Sequence, residues 1–253
     1  MRSRYEVYVD GVALSSLNPA ILITDIAHGP ANYDRQTQAI ANRNGLMIVK
    51  STQKTTSVEI AFELRIYNIA ERQRVLQQIQ QWAKGKILET NDREGQQLHV
   101  VCETFPRIES VQEWNASLVI GFTAYNKPFW EEKLPSTITL TGDDEEGSLY
   151  VPGNAGKAFV EAEITPSEAI SGLTVTVGDT TIELEDLNTS DVIKIGYDEY
   201  GNQYIKAGTT SILSKRTPES SDDLLAECGE QNDVAVSSNH SVTAKIIVRG
   251  VWL

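Results

Sequence analysis

Apolar and polar residues alternate along much of the chain, and this period of two predicts β-strands. The segment YEVYVDGVAL alternates on both sides of Asp10-Gly11, a dipeptide typical of a tight hairpin turn. The clearest alternation is in VEIAFELRIY, where one face of the predicted strand is entirely apolar: Val58, Ile60, Phe62, Leu64 and Ile66. The first part of the chain is therefore predicted to form half-buried antiparallel strands.

A helical period replaces this alternation between Ile69 and Lys84, where apolar residues recur every three or four positions. Asn68 precedes the segment and Glu71 follows three residues later, an arrangement that resembles a capping box. Gly85 comes directly after it, as is common at helix C-termini. The pattern predicts one helix over residues 69–84, with its apolar stripe lying on a sheet.

The segment from Ala27 to Ser57 begins with 19 residues, up to Gly45, that have no clear apolar period. It predicts a long polar loop, and loops of this length in compact domains are often functional or ordered by a partner. Tyr and Arg are enriched in buried interface positions. Three side chains are therefore predicted to contact a neighbouring subunit, although a flexible surface loop is the alternative interpretation: Tyr33, Arg35 and Arg43.

A strand pattern ends abruptly in GFTAYNKPFWEE. Pro128 has no N–H for a β-ladder and disfavours helix at the residue before it. A domain boundary is therefore predicted here, with a β-sandwich-like domain that includes the helix over residues 1–133 and a second domain over residues 134–253. Pro128, Phe129 and Trp130 are predicted to lie at the joint between the two domains.

The second domain reads as six or seven short strands separated by turns, which predicts a β-sandwich. The acidic tract TGDDEEG, from Thr141 to Gly147, is predicted to be a solvated loop. Two mainly β domains with one helix are thus the predicted fold class.

Charge is divided unevenly between these two parts. Residues 1–133 hold 15 Lys and Arg against 15 Asp and Glu, whereas residues 134–253 hold 7 against 20 and account for the whole net charge of −13. Because phosphate contacts come mainly from Lys and Arg, this argues against nucleic-acid binding by the second part. No apolar run is long enough to predict a membrane span, and the first residues lack the apolar core of a signal peptide, so synthesis in a cytoplasm is expected.

Catalytic chemistry finds little support in the sequence. His28, His99 and His240 do not belong to a cluster of metal-ligating residues, and no nucleophile or phosphate-binding motif occurs. Cys102 and Cys228 are expected to be reduced thiols. The chain is therefore predicted not to be an enzyme and to need neither a metal nor a cofactor.

The acidic part contains three weaker signals of binding or catalysis. DLNTSD places Asp186, Asn188 and Ser190 at alternate positions, but Asp191 stands where a calcium loop needs Gly and Tyr197 where it needs Glu, so a turn is favoured. Acidic pairs such as Asp143-Asp144 and Asp222-Asp223 are weak candidates for glycoside hydrolysis. The third signal is a group of three tyrosines. One interpretation is an aromatic platform for a sugar, and the favoured interpretation is that the tyrosines pack along their own strands: Tyr197, Tyr200 and Tyr204.

The order of several motifs resembles one family. An N-terminal hairpin is followed by VEIAFELRIYN, a helix ending in WAKGKIL, a strand entering AYNKPFW, GNAGKAFVEAEI at the start of an acidic β domain, and a terminal IIVRGVWL. Over nearly the whole chain this order and spacing is similar to the distal tail protein (Dit) family of bacteriophages with long, flexible, non-contractile tails.

The resemblance implies a structural protein of the virion, a homohexameric ring at the tail tip with a central channel for DNA. It implies that the ring joins the tail tube protein to the tail-associated fibre or lysin protein and often carries receptor-binding proteins. The N-terminal domain would form the ring and the C-terminal domain, a galectin-like sandwich, would project outward. A carbohydrate-binding adhesion module and a β-sandwich hydrolase are the alternative functions.

Overall fold

The structure is a computed structural model of the 253-residue chain and describes residues 4–29, 32–39, 46–106, 115–198 and 201–253. The chain divides into two compact units, unit 1 (residues 1–130) and unit 2 (residues 131–253). The prediction of a mainly β protein is confirmed, since the described strands form three sheets and the helices are few.

Unit 1 contains nine strands and two helices among its described residues, and a tenth strand crosses the boundary between the units. The strands are β1 (Val7–Val9), β2 (Val12–Ala13), β3 (Ile21–His28), β4 (Asn32–Ala39), β5 (Leu46–Arg65), β6 (Ile87–Thr90), β7 (Gln96–His99), β8 (Val101–Thr104), β9 (Asn115–Ala124) and β10 (Trp130–Glu132). The helices are α1 (Leu14–Leu17) and α2 (Ile69–Trp82).

Two sheets divide the strands of unit 1. One contains the order β2-β1-β6-β7, and the other has the order β3-β5-β9-β8 with β4 paired to β5. The hairpin predicted around Asp10-Gly11 is confirmed, because Tyr8 pairs with Ala13 and both turn residues have positive φ, 49° and 77°. Such angles are those of a type I′ turn, which suits the twist of the two strands.

The core of unit 1 lies on the inner face of the second sheet. The four alternate residues of β5 that were predicted to share a face are all at most 1% exposed: Val58, Ile60, Phe62 and Leu64. From α2, the ring of Trp82 packs edge-on against Phe122 of β9 with their centroids 6.2 Å apart. The alternation of apolar residues therefore identified the buried face of this sheet correctly.

The predicted helix is confirmed and ends two residues before Lys84. The side chain of Asn68 accepts hydrogen bonds from the N–H groups of Ala70 and Glu71, so it caps the first turn. Gly85 is required for a different reason from the one expected. Its φ is not positive, but a Cβ at this position would lie 2.2 Å from Cγ1 of Val9, so β1 leaves no room for a side chain.

The prediction of a long loop between Ala27 and Ser57 is wrong. β4 pairs antiparallel with residues 46–55 of β5, from Asn32 opposite Thr55 to Ala39 opposite Leu46. We call this two-stranded element, β4 together with residues 46–55, the ribbon. Its apolar residues do not alternate along β4, because a ribbon outside the main sheet need not bury one continuous face, and the sequence pattern therefore missed it.

Unit 2 contains ten strands and a 3-10 helix among its described residues. The strands are β11 (Ser136–Val151), β12 (Lys157–Pro166), β13 (Leu173–Val177), β14 (Thr180–Leu184), β15 (Ile193–Tyr197), β16 (Gln203–Ala207), β17 (Thr210–Ser211), β18 (Leu225–Glu227), β19 (Glu230–Val248) and β20 (Val251–Trp252). The 3-10 helix is Leu213–Lys215.

One nine-stranded sheet dominates unit 2. β19 is its centre: β11 pairs along one edge over almost all of its length, while β13 pairs with residues 234–238 and β12 with residues 242–248 on the other edge. Since β19 pairs with β13 near one end and with β12 near the other, strand pairing connects the two parts into one sheet. The sandwich pattern predicted short strands and could not reveal two strands of 16 and 19 residues.

The prediction of a solvated loop from Thr141 to Gly147 is also wrong, because this acidic tract is part of β11. Its pairing with β19 is interrupted between Gly142 and Asp144, where Gly142 faces Val242 and Asp144 faces Ser237. The irregularity lies where β19 changes its other partner from β13 to β12. Charged residues in an outer strand discourage pairing with further strands, which explains why a strand can carry such a tract.

Among the helices in the described parts of the chain, none has the length and apolar composition needed to cross a membrane.

Candidate subunit interface and the base of the ribbon

The ribbon contains two of the three residues predicted to contact a neighbouring subunit. Tyr33 lies in β4 opposite Gln53, and Arg35 lies opposite Ser51. Residues 35–38 are all exposed, so the side chain of Arg35 is accessible on this chain. Arg43 lies outside the described residues. The structure thus places two of the three predicted residues on one strand of the ribbon, and their role in a contact between subunits stays a prediction.

The pairing of β5 changes at Thr56. From Thr56 to Arg65 its partner on one side is β9, and from Val58 to Leu64 β3 pairs on the other side. Among the described strands, residues 46–55 pair with β4 alone. A two-stranded ribbon is marginally stable in water, and its outer backbone groups are available to a further strand. The ribbon is therefore suited to contact another protein surface.

The ribbon joins the rest of unit 1 at two points, which we call its roots. The first root is His28, the last residue of β3. Its Nε2 lies 2.7 Å from Oδ2 of Asp92, which is in the turn between β6 and β7. Its ring also packs edge-on against the indole of Trp130, with the ring centroids 5.5 Å apart. On Trp130, the guanidinium of Arg93 lies 5.1 Å from the ring centroid, within the range of a cation–π contact.

The other root is Thr56, where β5 enters the sheet. Thr56 is 5% exposed, and its hydroxyl donates a hydrogen bond to the backbone carbonyl of Pro128. The two roots also touch, since the N–H of Gly29 donates to the carbonyl of Ser57 at 2.8 Å. A Cβ on Gly29 would lie 2.0 Å from Oγ of Ser57 and 3.2 Å from its carbonyl oxygen, so a larger residue here would at least displace the Ser57 hydroxyl.

The electrostatics of this base favour an ionised Asp92. Burial raises the pKa of its carboxyl group, but nearby hydrogen bonds, among them the one with His28, and the charge of His28 outweigh that effect, and the pKa lies below its usual value of 3.8. Asp92 is therefore an anion at neutral pH and can accept the hydrogen bond from Nε2 of His28.

The residues predicted at the domain joint occupy this base. Trp130 is 1% exposed and Pro128 is also buried, whereas Phe129 is half-buried. The contacts of Trp130 with His28 and Arg93 are made inside unit 1, so this side chain belongs to the core of that unit. Whether the three residues also fill a joint stays a prediction. Sequence reasoning missed His28, Thr56 and Asp92 as their partners, because nothing in the pattern links positions so distant in the chain.

Among the tyrosines of unit 2 that were candidates for sugar binding, Tyr197 is packed inside the fold. Tyr197 is buried, and its hydroxyl donates to the carbonyl of Leu224 and accepts from the Leu224 N–H. Burial raises the pKa of Tyr197 to about 12. Tyr200 lies outside the described residues, and Lys206 lies 4.7 Å from the ring centroid of Tyr204. Tyr197 therefore offers no open face to a sugar.

The segment DLNTSD lines an open pocket of about 240 Å³ in unit 2. Asp186, Asn188 and Asp191 lie on its wall, and Lys215 supplies a cation on the same wall. In the described parts of the chain, no three His, Cys, Asp or Glu side chains are grouped so that they could hold a metal ion. Burial raises the pKa of the Cys102 thiol to about 11, which favours its protonated form at neutral pH.

Comparison with known proteins separates sequence from fold. The sequence matches no protein-family model, and it matches none of the curated protein sequences. The structure is similar to that of the SPP1 Dit (gp 19.1) protein, described as a paradigm of the hub adsorption apparatus in phages that infect Gram-positive bacteria, with a TM-score of 0.71. The alignment covers 98% of this chain and 99% of that one at 10% identity.

A second similarity is to a chain of the phage P2 baseplate in its activated conformation with calcium. There the TM-score is 0.51, the identity is 11%, and the alignment covers 97% of both chains. At these identities the likeness concerns the course of the backbone. The chain therefore has the fold of the SPP1 Dit protein over both of its units.

Proposed function

We propose that this protein is a structural component of a bacteriophage tail tip, a distal tail protein that assembles into a hexameric ring. The observation that carries the proposal is the similarity to the SPP1 Dit protein, which extends over 98% of this chain and almost all of that one. A match confined to one β domain would carry much less weight, because β-sandwiches and related sheets serve many unrelated functions.

In this proposal unit 1 forms the ring and surrounds a channel for DNA. The ring joins the tail tube protein to the tail-associated fibre or lysin protein, and unit 2, a galectin-like domain, projects outward near the receptor-binding proteins. The proposal is supported by the charge distribution, since residues 1–133 carry no net charge. A strongly basic ring would hold the phosphates of passing DNA and slow its exit.

The acidic second part suits a peripheral position away from DNA. All of the net charge of −13 lies in residues 134–253, so this part repels nucleic acid and other copies of itself. No catalytic step and no cofactor belong to the proposal. The chain would act through its contacts with other tail proteins.

Native mass spectrometry of the full chain over a range of concentrations tests the proposal. We expect a species of six copies, because a ring built from one repeated heterologous contact closes at a fixed number. A monomer at every concentration would contradict the proposal. A monomer that also binds a glycan on an array would favour the alternative, a carbohydrate-binding module.

The predicted contact residues are tested in the same experiment. Replacing Tyr33 and Arg35 by Ala should shift the hexamer towards monomer, because a defect in one contact is repeated six times around the ring. Replacing Gln36 and Gln38 by Ala provides a matched control, since both are exposed residues of the same strand. If both double variants remain hexameric, the ring contacts lie elsewhere.

A further inference from the structure

The base of the ribbon connects both of its roots to one short segment of the chain. Both roots of the ribbon are attached to the same three residues, 128–130. His28 packs on Trp130 from the end of β3, and Thr56 donates to Pro128 from the middle of β5. We call His28, Asp92 and Thr56, together with residues 128–130, the clamp.

The ribbon follows the sheet closely in the sequence. Three residues, 29–31, separate β3 from β4, and no residue separates the two halves of β5. The ribbon has one strand pairing and lies beyond β9, which ends at Ala124 opposite Thr56. Its direction must therefore be set where it leaves the sheet, and that is where the clamp lies.

The clamp also includes the point at which the chain leaves unit 1. Residues 128–130 are the last three of this unit and lead in sequence to Glu131, the first residue of unit 2. Pro128 and Trp130 are buried, so their positions are fixed by the groups that touch them. A movement of either root must consequently move the exit segment or break a contact with it.

We propose that His28, Asp92 and Thr56 are positioning residues that couple the ribbon to the segment through which the chain leaves unit 1. A displacement of the ribbon is transmitted to residues 128–130 by the Thr56 hydroxyl and by the His28 ring. Asp92 fixes the orientation of that ring. The use of this coupling in assembly rests on the proposed function, whereas the coupling itself is a property of unit 1.

Hydrogen exchange measured by mass spectrometry on the full chain tests the coupling. Thr56→Val removes the hydroxyl and keeps the shape of the side chain, and it leaves the Pro128 carbonyl without that donor. Exchange should rise about tenfold in peptides covering residues 46–56 and also in those covering residues 126–132, which corresponds to about 1.4 kcal/mol. Thr56→Ser retains the hydroxyl and should restore wild-type exchange in both segments.

Tyr125→Phe supplies the matched control. It also removes one side-chain hydrogen bond, the 2.7 Å bond from Tyr125 to Glu103, but at an exposed position beside β9 and outside the clamp. Its exchange in residues 46–56 should equal that of the wild type. A Thr56→Val variant that changes one segment without the other, or that Thr56→Ser fails to rescue, would overturn the proposal.

The second root is tested by a double-mutant cycle between His28→Gln and Asp92→Asn. If Asp92 acts through His28, the two single variants and the double variant should raise ribbon exchange by the same factor. Independent, multiplying effects would show that Asp92 does not position His28 and would contradict the proposal.

Native mass spectra of these variants separate this inference from the proposed function. A wild-type monomer whose exchange follows the expected pattern contradicts the hexameric ring and supports the clamp. A hexamer whose ribbon and exit segment respond independently supports the ring and contradicts the clamp. A reduced hexamer in Thr56→Val, with normal exchange in β19, is the result expected if both proposals are correct.

Discussion

The two longest strands of the molecule, β5 in unit 1 and β19 in unit 2, have nearly the same length, 20 and 19 residues, and opposite environments. β19 has a partner strand on both edges over most of its course. β5 has two partners from Val58 to Leu64 but pairs only with β4 over residues 46–55, among the described strands. One long strand builds a core, and the other leaves the core and becomes an arm.

This difference shows that strand length does not indicate how a strand is used. Each additional partner satisfies a second set of backbone groups and adds a surface against which side chains pack. Residues 46–55 lack that second partner, which makes them the least supported long strand segment described and the natural place for a contact with another protein. The following predictions test this comparison, from the largest expected effect to the smallest.

The largest effect is expected in hydrogen exchange along β5. Amides of residues 58–64 should open only with unit 1 as a whole, whereas those of residues 46–55 should open locally. We expect protection to differ by at least about a thousandfold, or roughly 4 kcal/mol. Both halves of β19 should be protected alike and serve as the internal reference. Equal protection across β5 in a monomer would contradict the comparison.

Truncation of core isoleucines should follow the same division. Ile60 in β5 and Ile246 in β19 are both 0% exposed. Replacing either by Ala should lower the free energy of unfolding by about 2–5 kcal/mol, because a cavity is left in a packed core. Thr37→Ala, at an exposed residue of the ribbon, should cost less than about 1 kcal/mol in the monomer.

Urea unfolding of these three variants measures the differences. A Thr37→Ala variant as destabilised as Ile60→Ala would mean that the ribbon is an integral part of the core. If the full chain is hexameric, Thr37→Ala should instead lower the stability of the hexamer more than that of the monomer.

A moderate effect is expected at the start of β19, where Asn232 closes the connection from β18. Asn232 is 3% exposed, its amide donates to the carbonyl of Glu227, and its oxygen accepts from the Glu227 N–H at 2.8 Å. Asn232→Leu should cost about 1–3 kcal/mol, because both backbone groups of Glu227 lose a partner.

Asn239→Leu is the matched control in the same strand. Its side-chain oxygen accepts from the N–H groups of Ser171 and Gly172, but the residue is exposed and water can replace it. Thermal unfolding should show a smaller loss than for Asn232→Leu. Equal losses would mean that burial does not govern the cost of these amide contacts.

The smallest effect concerns pH and belongs to unit 1. Since the pKa of Asp92 in the folded protein is below 3.8, its ionised form stabilises the fold above that pH, and this contribution is lost as the pH falls through the lowered folded value. The pair with His28 is partly exposed, so we expect a contribution below about 1 kcal/mol.

Urea unfolding of wild type and Asp92→Asn at several acidic pH values measures this contribution. The two proteins should converge in stability as Asp92 becomes protonated. Exchange in β19 should be the same in both proteins throughout, because unit 2 does not contain the pair. A difference that persists unchanged at the lowest pH would assign the effect to packing rather than to charge.

Several features of the fold could be read from the sequence because they depend on neighbouring residues. The alternation through Val58, Ile60 and Phe62 identified a strand and its buried face. Asn68 marked the start of α2, and Asp10-Gly11 marked a hairpin whose turn has the expected positive φ angles. In each case the periodicity or the local backbone preference agrees with the environment that the folded chain supplies.

Other features were decided by tertiary structure. The ribbon has a polar β4 with no alternation, and the acidic tract in β11 has the composition of a loop, yet both are strands because a partner strand satisfies their backbone. The clamp unites His28, Thr56, Asp92 and Trp130, whose separation along the chain gives no local signal. Backbone pairing and long-range contacts depend on which segments meet in space, and a one-dimensional pattern does not contain that information.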